Sequence, residues 1–192
     1  MNTYRLFISA DFPNQVIEKI KIIQESLKEG NPSVVHWTNP ENIHLTLKFL
    51  GETELEKAQS IKDNLDNIAI ETKPFGLKLE GIGSFPNWRN PRIVWIGVEK
   101  SESLHLLVRQ IEANMKNLGC ASEIKSFSPH LTIGRVRENS RQEAIQILEK
   151  KCGSFATIMG ITQITEIHLY KSDLFRSGPV YELIHTSIFK PS

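Results

Sequence analysis

The sequence predicts an α+β fold: a bilobal, pseudo-twofold duplication with two antiparallel or mixed sheets, helices on their outer faces and a central cleft. Two observations carry this. The triplet His-Leu-Thr followed by an aliphatic residue occurs twice, in HLTLKFLG from His44 and in HLTIGRV from His130, 86 residues apart (130 − 44). Around each copy the hydrophobic patterns run in one order of strand, helix, motif-bearing strand, helix, strand. With 192 residues, 40% hydrophobic and 23% charged, the chain can bury a sizeable core. It reads as one domain, 1–192, of two interleaved lobes, each contributing one HxTx strand.

Each element has a local signal. Residues 3–10 alternate like a strand, and Pro13 suits the first turn of a helix whose face is Val16, Ile17, Ile20, Ile23 and Leu27, with Gly30 as its stop. A short strand at 34–37 and the turn NPEN lead to the first motif strand, 43–50, closed by Gly51. Leu55, Ala58, Ile61, Leu65 and Ile68 mark a second helical face, and FGLKLEGIGSF the next strand. FPNWRNPR is an irregular loop before the strand IVWIGVE. The order then restarts with a helix up to Gly119, the motif strand 130–136 and a helix in SRQEAIQILEKKC. Strands around 164–170 and 181–189, joined by a turn containing Ser177-Gly178-Pro179, end the chain.

Composition narrows the function. A net charge of +1 supplies no global field for long nucleic acid, so such a partner must be gripped locally. Cys120 and Cys152 lack CxxC spacing and nearby metal-ligand companions, which argues for reduced thiols. The amino terminus has no signal-peptide pattern, and no apolar run approaches the roughly twenty residues that span a bilayer. A cytoplasmic monomer with no membrane partner is expected.

The motif itself suggests chemistry. Along a strand, residues two apart share a face, so His44 lies beside Thr46 and His130 beside Thr132, while the aliphatic neighbours face the other way. Two such strands meeting across a groove present two imidazoles and two hydroxyls to one ligand. With a reference pKa near 6.5, one imidazole can take a proton while the other gives one, and the threonines can donate to developing negative charge. Phosphate-ester chemistry fits, and a cyclic phosphodiester best, because ring strain lowers the barrier and the leaving oxygen stays tethered. The opposing structural reading is that each His and Thr merely caps a strand end. Chance HLT triplets are expected on the order of a few hundredths in a chain of this make-up, and the motif occurs twice.

Two HxTx motifs in the contexts ENIHLTLKFLGE and FSPHLTIGR, with YRLFISADFP, GSFPNWRNPRIVWIGV and LYKSDLFRSGPVYELI around them, resemble the two-histidine (2H) phosphoesterase superfamily. Within it they are similar to the RNA 2′,3′-cyclic phosphodiesterases, also called the 2′-5′ RNA ligase family, almost end to end. The resemblance implies that both motifs line a cleft. It also implies metal-free, cofactor-free opening of RNA-terminal 2′,3′-cyclic phosphates to 2′-phosphomonoesters, with 2′-5′ ligation as a side activity. It assigns His44 as the proton donor and His130 as the proton acceptor, although the residues themselves are symmetric on this point. Thr46 and Thr132 follow as substrate-binding groups. Arg135 stands where the family often has Arg and can clamp phosphate, provided that a bulge, which Gly134 permits, turns it to the face of His130. Phe7 and Phe49 are candidate base-stacking platforms, with core packing as the opposing reading.

Two other substrate or function classes stay open: a small cyclic nucleotide or 2′-5′ linkage as substrate, and a non-catalytic binder of phosphate-terminated RNA. His36, His105, His168 and His185 repeat no HxT pattern and are read as structural or solvated. Arg89 and Arg92 with Trp88 are a candidate RNA-facing lip or a solvated loop, and Lys48 is placed on the face of His44, as a source of positive potential or, by the favoured reading, a solvated strand-end lysine.

Overall fold

The computed structural model describes residues 3–29, 34–122, 126–155, 157–175 and 178–190. The expected helix stop Gly30, and Ser177 of the final turn, lie outside them. The elements are β1 (Thr3–Ala10), α1 (Asn14–Lys28), β2 (Val35–Trp37), β3 (Leu45–Glu54), α2 (Lys57–Glu71), β4 (Phe75–Phe85) and β5 (Ile93–Val98). They continue with α3 (Glu102–Asn117), β6 (His130–Val136), α4 (Gln142–Gly153), β7 (Thr157–Ile164), β8 (Glu166–Phe175) and β9 (Gly178–Ile188). NPEN forms a 3-10 turn at Pro40–Asn42 whose cap, Asn39, accepts from the Glu41 amide.

The strands form a sheet in the order β7-β4-β5-β6-β3-β1-β8-β9, with β2 beside β6, and every pairing is antiparallel. The order is symmetric about its centre, where β3 meets β6. Helices cover one face: α2 packs on β3, β8 and β9, α3 on β3 and α2, α4 on β4, and α1 against α4. The α1 stripe is as expected, with Val16, Ile20, Ile23 and Leu27 buried. Full burial of Leu45 and Leu131 under these helices contributes about 1.5–3 kcal/mol each and fixes which face of each motif strand looks outward. Cys152 is buried and Cys120 partly so, and both are free thiols.

The structure corrects four expectations. First, the strand expected around 164–170 is two strands, parted only by Thr165. β7 pairs with β4 while β8 pairs with β1, at opposite flanks of the sheet. TIMGITQITEIHLY is continuously β-favouring and carries no Pro or Asn-Gly signal to mark the break. Second, Gly51 does not close β3 but lies inside it at φ 70°, beside an irregularity in the pairing with β1. Third, Leu55 is not on the face of α2, which begins only at Lys57, and it is exposed. Fourth, Lys48 does not share the face of His44. It is 1% exposed on the helix side, where its ammonium donates to Glu112 at 2.5 Å and to the carbonyl of Ala121 at 2.9 Å.

Candidate active site

That inversion of Lys48 has a definite cause. In β3, Thr46 pairs with Ser9 and Lys48 with Ile8, so Leu47 is an extra residue. In β6, Thr132 pairs with Trp95 and Gly134 with Val94, so Ile133 is extra. Both motif strands therefore carry a β-bulge at the fourth motif residue, which shifts the in-and-out alternation by one position. Leu47 and Lys48 are both buried, as are Ile133 and Gly134, and the next residues, Phe49 and Arg135, emerge on the outward face with the histidines. The buried Gln24 of α1 supports the second bulge, its side-chain amide donating at 2.9 Å to the carbonyls of Ile133 and Thr38.

Leu45 and Leu131 point into the core, so His44, Thr46, His130 and Thr132 share the opposite face. The register pairs Leu45 with Leu131. His44 is thereby set toward Thr132 and Thr46 toward His130, with the two imidazoles at diagonal corners.

Both rings are oriented in the same way. His44 Nδ1 donates to the carbonyl of Asn42 at 2.8 Å, and His130 Nδ1 to the carbonyl of Ser128 at 2.7 Å, in each case two residues back. A carbonyl can only accept, so Nδ1 carries the proton and Nε2 of the neutral ring is left with its lone pair. The Thr46 hydroxyl lies 3.1 Å from His44 Nε2.

Aromatic rings wedge each imidazole. His44 stacks on Phe7 at 4.8 Å between centroids and meets the edge of Tyr181 at 5.3 Å; Phe7 in turn stacks on Tyr170 at 5.5 Å. His130 meets Phe85 at 4.8 Å and Trp95 at 6.5 Å. Trp95 lies across its cross-strand partner Gly83, where a Cβ would stand 2.3 Å from the indole, so only glycine leaves room for the ring. Phe7 is 3% exposed, which corrects its expected role: it has no open face for a base and instead supports His44. Phe49 is 59% exposed and keeps that possibility.

Burial lowers the pKa of His44. Its backbone bond to Asn42 and the charge of Asp11 oppose that shift, and repulsion from His130 adds to it. Asp11 is held by Ser9 Oγ at 3.2 Å and by the Tyr170 hydroxyl at 2.6 Å. Burial likewise raises the pKa of the Tyr181 phenol, while Arg135 and Arg5 pull it back down, so both guanidinium groups act on this hydroxyl.

Tyr181, Tyr170, Asp11, Phe85 and Trp95 are site neighbours that the motif pattern did not single out. Tyr181 is brought in by curling of the sheet: β9 is three strands from β3, yet Asn42 Nδ2 donates to the carbonyl of Pro179 at 3.2 Å. Arg89 and Arg92 are exposed, Trp88 packs partly on the core, and His185 bonds Asp66 at 2.8 Å. His168 is buried against Thr186. Among the described residues no group of three or more His, Cys, Asp or Glu is arranged to hold a metal ion.

The family described as LigT like Phosphoesterase matches residues 11–95 and again residues 96–181. The chain belongs to the LigT-like phosphoesterases. The double match divides this phosphoesterase within β5, between Trp95 and Ile96, with one HLT motif in each part. It is 35% identical over 178 residues to the RNA 2′,3′-cyclic phosphodiesterase of Archaeoglobus fulgidus, covering 93% of this chain and 96% of that one. To the protein of the same name from Methanocaldococcus jannaschii it is 36% identical over 182 residues, covering 94% and 98%. Its fold matches the TT0787 protein of Thermus thermophilus with a TM-score of 0.80 at 23% identity, over 96% of this chain and 97% of that one. It matches E. coli LigT complexed with 3′-AMP with a TM-score of 0.77 at 25% identity, over 98% and 99%. Among the described residues no helix of this LigT-like phosphoesterase is long and apolar enough to cross a membrane.

Proposed function

We propose that this LigT-like phosphoesterase opens 2′,3′-cyclic phosphates at RNA ends to 2′-phosphomonoesters, with His130 and His44 as base and acid and without a metal ion. The observation that carries the reading is the repeated Nδ1-to-carbonyl bond, which leaves Nε2 of each imidazole as its proton-exchanging atom. Nε2 of His130 takes a proton from water as the water oxygen bonds to phosphorus. The bond from phosphorus to the 3′ oxygen breaks, and Nε2 of protonated His44 delivers a proton to that oxygen. Thr46, Thr132 and Arg135 hold the phosphoryl oxygens as their charge grows. The names of the relatives supply the RNA terminus as substrate.

Burial of His44 works against a proton on its ring, and the substrate offsets this. A bound phosphodiester anion raises the pKa of a nearby imidazole, so the acid is charged when the substrate arrives. The direct test is incubation of the purified protein, with excess chelator, with an oligonucleotide ending in a 2′,3′-cyclic phosphate. A 2′-phosphate product is expected. No ring opening between weakly acid and weakly basic pH rules the reading out, and activity abolished by chelator and restored by a divalent ion rules out the metal-free form.

A further inference from the structure

Beyond the reaction centre, the outward face of β1 continues away from the histidines. Ser9 is the partner of Thr46, Phe7 lies beneath His44, and Arg5 follows two residues on, on the same face, with its side chain exposed. At about 3.3 Å per residue, the Arg5 Cα lies roughly 13 Å along the strand from the level of Thr46, and a guanidinium reaches back over about half of that. Arg5 acts on the Tyr181 hydroxyl from β1 as Arg135 does from β6, and the Tyr181 ring touches His44. Among the described residues no ion pair or hydrogen bond engages either guanidinium. Lys171, which also lines the surface past Arg5, is neutralised instead by Asp173 and Glu182. Glu52, the cross-strand partner of Arg5, accepts from the Thr3 hydroxyl at 2.9 Å. Past Arg5 the surface dips into a groove of about 260 Å³ lined by Arg5, Glu52, Lys171, Ser172 and Asp173, among others, in which Lys171 is paired with Asp173 and, among the described residues, the Arg5 guanidinium is not paired.

We propose that Arg5 is a second anion subsite, which takes the phosphodiester on the 5′ side of the terminal nucleoside. The inference rests on the reading of the site as a cyclic phosphodiesterase of RNA ends. It makes the enzyme selective for a chain end over a mononucleotide. The terminal base lies against Phe49, the cyclic phosphate sits between the histidines, and the next phosphate down the chain reaches Arg5, which binds it through charge-assisted hydrogen bonds. No bond is made or broken at Arg5; it is a specificity-determining residue.

The experiment compares three substrates: a 2′,3′-cyclic mononucleotide, a dinucleotide with the same cyclic end, and that dinucleotide with a neutral methylphosphonate linkage. For the natural protein, kcat/KM for the charged dinucleotide is expected to exceed that for each of the other two by about tenfold. Arg5→Gln should bring all three close together, with the change carried mainly by KM and by a weaker salt dependence for the charged dinucleotide. Equal rates for the charged and neutral linkages in the natural protein overturn the subsite, as does an Arg5→Gln variant that keeps the preference. Failure to open any of the three overturns the parent reading itself, a result distinct from opening all three equally well.

Discussion

Leu45 and Leu131, the middle residues of the two HLT triplets, are Cα partners, and among the described residues they are the one register pair that joins β3 to β6. A pseudo-twofold axis relating the motifs must pass between them. The axis makes His44 equivalent to His130, Thr46 to Thr132, Leu47 to Ile133 and Phe49 to Arg135. The last equivalence places two different chemistries, an aromatic face and a guanidinium, at matching positions of one cleft. The symmetric scaffold thus presents an asymmetric surface.

His44→Ala and His130→Ala should each lower kcat for the cyclic phosphate by about 10²–10⁴, with far-ultraviolet circular dichroism unchanged. The double variant should lose little beyond the worse single one, since an acid and a base acting in one step are not additive. Near-native turnover in either single variant excludes the paired mechanism.

His44 also makes a prediction about pH. Because its folded pKa is depressed, the folded protein binds this proton less readily than the unfolded chain does. The stability associated with neutral His44 is fully present above the ordinary value of 6.5 and is lost as pH falls through the lower folded value. Denaturant midpoints of the natural protein and His44→Asn, measured from pH 8 to pH 5, should converge or cross on the acid side of that window. A constant gap contradicts the depressed pKa.

Phe7 and Phe49 should separate cleanly. Phe7→Ala empties a buried site and should cost about 3–5 kcal/mol of stability, along with activity through the lost support of His44. Phe49→Ala should raise KM by about tenfold, with a much smaller stability change, because its side chain is more than half exposed. Equal thermal-shift losses in the two variants would count against this division.

Gly83→Val drives a methyl-bearing carbon into the Trp95 indole, and overpacking of this kind costs about 1–3 kcal/mol. Trp95 should move, changing its fluorescence, and His130 should lose its edge contact, lowering kcat more than KM. Unaltered kcat with altered fluorescence would show that Trp95 does not hold His130.

Gln24→Leu removes the two donors that brace the carbonyls of Ile133 and Thr38 and should destabilise by about 1–3 kcal/mol. If the bulge then relaxes, Arg135 turns away and KM rises; Gln24→Glu, whose carboxylate has no proton to donate to the same two carbonyls, should raise KM at least as far. An unchanged KM in both variants separates the bulge from Gln24.

The helices and most strands were legible in the sequence because each carries its own period and punctuation. β4 and β6 begin and end at the residues expected, and the repeated HLT placed four polar side chains on one face before any geometry was known. Bulges are a different matter. Leu47-Lys48 reads like any alternating pair, and only pairing with Ile8 and Ser9 reveals that both side chains go inward, carrying Lys48 to Glu112 and Phe49 outward. For Arg135 the glycine before it was a usable signal; for Phe49 there was none. Tyr181 was hidden for another reason, since its approach to His44 depends on the curl of the sheet, a sum of small twists over four strands.

The single-residue link at Thr165 has a consequence for how such a chain can be divided. β8 and β9, from the second half of the sequence, finish the flank begun by β1 and β3, while β4, from the first half, lies between β7 and β5. A cut between β4 and β5 would therefore leave each fragment with strands whose neighbours are on the other piece. Neither fragment is a self-sufficient unit, but two copies of one half could supply each other's missing neighbours around a twofold axis. Such a dimer would already hold one imidazole and one hydroxyl from each copy, so covalent fusion would be needed only to let the two corners of the site diverge.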